Sequence, residues 1–223
     1  MLKRATSLPA AAVAALTLFA GCGTSEFTYV KNSGEQTYFK VPHEWHEVGT
    51  KSLDDALTGL NSDSAAASLR QRLWWSVAYD AAADPSADHL MTAGITTEPI
   101  LYARVARTTE AQRDAISLDI LRNFFLPVTE EARKSVAETT TLTGFELLQD
   151  EVLTPENGLH GVRVVYNYDL GLGVLHTFDQ TALVNNDGSK LYLLLIRCTT
   201  SCYAERSGEI ETIATSFTVR SDK

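Results

Sequence analysis

The tightest constraint on the fold lies in the last third of the chain, where three apolar strands succeed one another with only turn chemistry between them. Val162, Val164, Tyr166 and Tyr168 alternate with Arg163, Asn167 and Asp169, the period-two pattern of a strand with one covered and one wet face. Asn157-Gly158 before it and Gly171-Leu172-Gly173 after it are turn-forming. Val174 to Val184 reads as the next strand, and Asn186-Asp187-Gly188 turns the chain into Leu191–Ile196. That last run, LYLLLI, is apolar without a break, which predicts a central strand covered on both faces. Strands linked this tightly pair antiparallel, because a parallel neighbour needs a crossover of roughly a dozen residues.

Helices fall elsewhere. Thr37–Val41 and Trp45–Val48 read as short strands, and Ser52 with Asp55 resembles a capped helix start ahead of Leu53, Ala56, Leu57 and Leu60. Ser64–Arg72 is expected to continue as helix, and Leu73–Tyr79 to be a strand. Ala83–Glu98 contains Pro85 and Gly94 and reads as a long loop, followed by an Ile100–Val105 strand. Thr109 and Gln112 form a capping box for a helix carrying Ile116, Ile120 and Phe124, which Pro127 ends. Thr129–Glu138 reads as a second, more exposed helix. Cys202 is expected to open a last helix, with Tyr203, Ser207, Ile210, Ala214 and Phe217 on one stripe, before a Phe217–Val219 strand. The fold class is therefore α+β, an antiparallel sheet flanked by helices.

The N-terminus carries an address. Lys3 and Arg4 precede Ala10–Ala20, an uncharged apolar run too short for the roughly 20 residues of a membrane span but right for an export signal. Leu18-Phe19-Ala20-Gly21-Cys22 resembles the lipobox of bacterial lipoprotein signals. That resemblance implies acylation of Cys22, cleavage before it, and a protein held outside the cytoplasm on the outer face of the membrane. We accordingly expect residues 1–21 to be a signal peptide, 22–34 a lipidated tether, and 35–223 a single globular domain. Losing Lys3 and Arg4 leaves 17 basic against 28 acidic residues, a net of −11. Such a balance argues against nucleic acid as a partner and against electrostatic adhesion to anionic lipid. With Cys22 acylated, Cys198 and Cys202 remain as a disulfide pair suited to an oxidising compartment, with a zinc half-site or a reactive thiol as alternatives.

Two ends of the chain resemble a known family. Tyr38-Phe39-Lys40-Val41-Pro42 with Trp45 is similar to the opening of PsbP-like domains, and Tyr203, a helix and Ser216-Phe217-Thr218-Val219 to their finish. That family includes an extrinsic photosystem II subunit, a nuclear-import Ran-binding factor and LpqN-like envelope lipoproteins of actinobacteria. The resemblance implies an α/β/α sandwich and a domain that binds or supports other proteins, with no common catalytic site and no cofactor.

Clusters that suggest chemistry have simpler readings. His43-Glu44-Trp45-His46-Glu47 holds two imidazoles and two carboxylates, but it lacks the helical i, i+4 spacing of zincins, so no metal is expected there. His89, His160 and His176 stand far apart, and no G-x-S-x-G elbow accompanies them. Trp74 and Trp75 should face opposite ways from a strand, so one of them is expected outside the main core. The function expected is a non-catalytic envelope domain with a protein partner. A carrier of a small apolar molecule or lipid is the second reading, and an envelope hydrolase the third.

Overall fold

The computed structural model of the chain describes residues 25–59, 70, 72–91, 97–155 and 158–220. The signal, Cys22 and most of the expected Ser64–Arg72 helix lie outside them. The protein has mixed α+β architecture built on antiparallel sheets. Strands β1 (Phe27–Asn32), β2 (Thr37–Pro42) and β3 (His46–Glu47) lead into helix α1 (Thr50–Thr58) and strand β4 (Trp74–Asp80). Helix α2 (Ala87–Met91), strand β5 (Ile100–Arg107) and helices α3 (Glu110–Ala115), α4 (Leu118–Arg122) and α5 (Glu130–Val136) follow. Then come β6 (Thr143–Leu153), β7 (His160–Asp169), β8 (Leu175–Val184), β9 (Lys190–Thr199), α6 (Thr200–Glu205), α7 (Ser207–Ser216) and β10 (Thr218–Val219).

The strands form a seven-stranded sheet in the order β3-β4-β5-β9-β8-β7-β6 and a three-stranded sheet in the order β1-β2-β10. The run LYLLLI lies in β9 at the centre of the large sheet, with Leu193, Leu194 and Ile196 at most 1% exposed. Each such side chain contributes roughly 1.5–3 kcal/mol by leaving water, which is why this strand takes the middle. One face packs Ala78, Tyr102, Leu195, Phe178 and Tyr166 against α1, α2 and the loop around Val128. The other packs Val77, Leu101, Ala103, Leu194 and Ile196 against Val30, Phe39 and Val41 of the small sheet and Ile210 and Ile213 of α7. The second outer layer is thus a small sheet plus α6 and α7.

Several local expectations change. Phe27–Asn32, inside the stretch read as tether, is a strand paired along its whole length with β2 from Phe27↔Pro42 to Asn32↔Thr37. Ser52 does not cap α1, which begins at Thr50 behind Gly49. The Thr109–Gln112 capping box is present, but the helix stops at Ala115, and Ser117 caps a new one by accepting from the Ile120 amide. The helix expected from Cys202 begins at Thr200, where Thr199 accepts from the Cys202 amide, and breaks at Arg206. Cys198 and Cys202 are joined across that turn, with Cα atoms 5.9 Å apart. Replacing Cys202 with Ser should lower stability by about 2 kcal/mol, the loop-closure value for so short a ring. Urea unfolding of the oxidised protein checks this, and an unchanged midpoint would show that the bridge adds nothing to the native state.

Gly161 in β7 is held by the close approach of a neighbouring strand's backbone. A Cβ there would lie 2.0 Å from the Ala182 carbonyl oxygen of β8. Gly161→Ala should therefore force β7 and β8 apart and cost about 1–3 kcal/mol. A melting temperature equal to that of the parent would refute it.

Candidate functional site

Strand β6 is one of the two edges of the large sheet, the other being the two-residue β3, and most of its residues are exposed. Sequence periodicity missed it because register shifts at Thr143/Glu146 and Leu147/Gln149 break the alternation of its apolar residues. Leu147, Leu148 and Val152 stand 44–49% exposed on it. An edge of this kind presents unpaired backbone groups as well as apolar surface.

Beside β6 runs a groove of about 780 Å³ bounded by β6, β7 and β8 on one side and by α7 and β10 on the other. Val152, Leu153, Pro155, Leu183 and Phe217 supply its apolar lining. Its polar wall is built from Arg163, and here the structure departs from the half-wet strand read in sequence. Both faces of β7 are covered, and Arg163 is only 6% exposed. Arg163 Nε and Nη2 donate to Asp179 Oδ1 and Oδ2 at 2.9 and 2.7 Å. Nη1 and Nη2 donate to Glu211 Oε1 and Oε2 of α7 at 3.1 and 2.7 Å. Tyr203 Oη of α6 donates to Asp179 Oδ2 at 3.0 Å.

The electrostatics follow from that geometry. Burial alone would pull the Arg163 pKa down, but its bonds to Asp179 and Glu211 outweigh burial and raise it. The Arg163 guanidinium holds the Glu211 carboxyl below its usual range. Burial, reinforced by the Asp179 carboxylate, pushes the Tyr203 phenol up. Every strong donor and acceptor in this wall is already committed to another. The network ties the helical layer to the sheet.

Other residues singled out in the sequence sit as follows. Trp45 is 2% exposed in the core, while His43, Glu44, His46 and Glu47 are exposed around it. His160 and His176 lie at opposite ends of the β7–β8 hairpin, opposite Val184 and Tyr168 respectively. His89 on α2 meets the fully buried Asp80 through Nδ1 at 2.6 Å, within the stretch read as a loop. The structure does not bring the three histidines together. Trp75 packs against the core, whereas Trp74 lies on the other face between two guanidinium groups, Arg104 at 3.8 Å and Arg70 at 4.9 Å from its ring centre. Among the described residues, no group of three or more His, Cys, Asp or Glu side chains is placed to hold a metal ion. No described helix is long and apolar enough to cross a membrane.

No family model matches the chain, and no curated protein does. Solved structures do. The solution structure of the cyanobacterial PsbP protein CyanoP from Synechocystis superposes with a TM-score of 0.54 at 15% identity, covering 92% of this chain and 99% of that one. The Saccharomyces cerevisiae Ran-binding protein Mog1p matches at a TM-score of 0.44 and 10% identity, over 88% and 96% of the two chains. LpqN of Mycobacterium tuberculosis, involved in cell envelope biogenesis, matches at 0.44 and 15%, over 87% and 91%. At these identities the likeness is one of fold: the chain has a PsbP-like fold.

Proposed function

We propose that this chain with a PsbP-like fold is a lipid-anchored envelope protein whose domain binds a partner protein through β6 and the adjoining groove, without catalysis. The observation that carries the reading is the exposed apolar edge at Leu147, Leu148 and Val152 beside a groove whose buried Arg163 is fully engaged by Asp179 and Glu211. Apolar residues with backbone groups to share favour recognition of a chain segment. A site for chemistry would leave converging polar groups uncommitted. The lipobox-like Leu18–Cys22 segment supports the anchor and the extracytoplasmic address.

A photo-crosslinking residue placed at Val152 in the native host should yield one discrete adduct, and the same probe at Glu131 on α5 should yield none. Leu148→Arg should reduce the Val152 adduct severalfold. Adducts of equal yield at both positions, or none at Val152, would overturn the partner reading. The volume of the groove falls within the range of small-molecule sites, which favours a carrier as the second reading. Native mass spectrometry of the protein extracted from its own membranes separates the two, because a carrier shows a lipid-sized mass lost on denaturation. Cys22→Ser should move the chain from the membrane fraction to the soluble one, and retention in the membrane fraction would refute the acyl anchor.

A further inference from the structure

The overall acidity of the chain conceals one face of opposite character. In the small sheet, the cross-strand pairs Val30↔Phe39 and Thr28↔Val41 point inward, so Tyr29↔Lys40 and Lys31↔Tyr38 point outward. Tyr29 is 74% exposed, the highest among the large hydrophobic side chains of the described residues. Lys40 lies over the Phe27 ring at 4.0 Å, and Arg220, just past β10, lies over Tyr38 at 4.7 Å. The outer face therefore combines Phe27, Tyr29 and Tyr38 with Lys31, Lys40 and Arg220. No acidic residue occurs in β1, β2 or β10. The nearest carboxylates lie at its margins. Glu35 in the β1–β2 turn is paired with Lys190, Glu209 is paired with Arg206, and Glu26 and Glu44 border the corner at Phe27.

Position gives this face its meaning. Because β1 begins at Phe27, only five residue steps separate it from Cys22. Fully extended, they reach about 17 Å. A domain of this size has a radius of gyration of about 16 Å, so so short a leash holds the β1 end of the molecule against whatever Cys22 is anchored in. We propose that the outer face of the three-stranded sheet, with Tyr29, Lys31, Lys40 and Arg220, docks on the anionic lipid surface that carries the anchor. The inference rests on the acylation of Cys22 proposed above. Tyrosine belongs at the headgroup level, where its ring is apolar and its hydroxyl wet. The three cations suit phosphate-rich headgroups, which would otherwise repel so acidic a protein. The acyl chains supply the affinity, and the face sets the orientation, leaving the β6 edge free for a partner.

The test uses the lipidated protein reconstituted in liposomes that carry a headgroup-linked quencher. Acylated Cys22 and the Cys198–Cys202 bridge leave an introduced thiol as the single labelling site. A fluorophore on Thr218→Cys, on the outer face opposite Tyr38, is compared with one on Glu131→Cys of α5. In liposomes containing phosphatidylglycerol, the label at 218 should be quenched and that at 131 should not. The docked-to-undocked ratio should fall roughly fivefold for each lysine removed, hence about 25-fold in Lys31→Ala/Lys40→Ala. It should fall similarly in molar salt, where the Debye length shrinks to about 3 Å. Lys134→Ala, a remote exposed cation on α5, should leave it unchanged. Equal quenching at 218 and 131, or quenching indifferent to the lysines and to phosphatidylglycerol, would overturn the docking face. A chain that fails to float with the liposomes at all would instead sink the anchor, and the face with it, an outcome distinct from flotation without quenching.

Discussion

Arg163→Met is expected to destabilise the domain by about 3–5 kcal/mol, because it strands the Asp179 carboxylate in the interior. The Asp179 side chain is 1% exposed, and both its oxygens accept from Arg163. Arg163 and Asp179 are diagonal neighbours on adjacent strands, Arg163 lying opposite Thr181 and Asp179 opposite Val165. Removing the guanidinium leaves Asp179 with Tyr203 as its remaining side-chain donor and frees Glu211 on α7. Replacing both members, as in Arg163→Met/Asp179→Leu, should recover most of the loss, since no buried charge then remains unpaired. Urea unfolding of the four proteins gives the cycle. A single-variant loss under about 1 kcal/mol would mean that water reaches Asp179 and that the wall of the groove is not sealed.

The same network predicts a pH effect of definite sign. The folded-state pKa of Glu211 is depressed by Arg163, so this contact contributes stability above the ordinary glutamate range. The contribution is lost as pH falls through the depressed folded value. Glu211 is 55% exposed, so solvent screens the effect and it should be a modest one. Glu211→Gln should flatten the acid limb of the stability profile slightly while leaving the neutral plateau nearly intact. A steeper acid limb in that variant would contradict the assignment.

The second large effect is expected at Asp80. This residue is fully buried at the end of β4. Its Oδ1 accepts from the Ala82 amide at 2.9 Å, and its Oδ2 from the Ser86 amide at 3.1 Å and from His89 at 2.6 Å. Arg197 Nη2 donates in turn to the His89 carbonyl, tying α2 to the central strand β9. Asp80→Ala should cost about 2–4 kcal/mol, since two backbone donors and an imidazole lose one acceptor. The damage should concentrate in residues 81–91. Amide exchange there should accelerate by orders of magnitude, while β7, β8 and β9 keep most of their protection. Uniform acceleration across the sheet would show that Asp80 serves the whole core and not this segment.

Asp80 also shows why part of the molecule was illegible in sequence. Residues 83–98 read as a loop because they lack apolar periodicity, yet Ala87–Met91 is helical. It is held by a carboxylate whose role depends on where β4 ends. Bulges hid β6 in the same way, since a shifted register destroys the period-two signal while leaving the strand intact. The N-terminal stretch read as tether looked polar because β1 has one inward face of modest hydrophobicity. Its pairing with β2 decides its state.

What the sequence determined by itself was whatever local chemistry dictates. The β7–β9 hairpins follow from turn residues and apolar runs, the Thr109–Gln112 cap from its spacing, and the opposed faces of Trp74 and Trp75 from strand geometry. The PsbP-like class was legible from its two ends. Only the tertiary structure decided that Arg163 is buried and saturated, that β6 is a free apolar edge, and that three cations and three aromatic rings share one outer face. These depend on which strands lie side by side and what covers them. Periodicity along one segment carries no record of that, because the neighbours that bury, pair or expose a side chain come from distant parts of the chain.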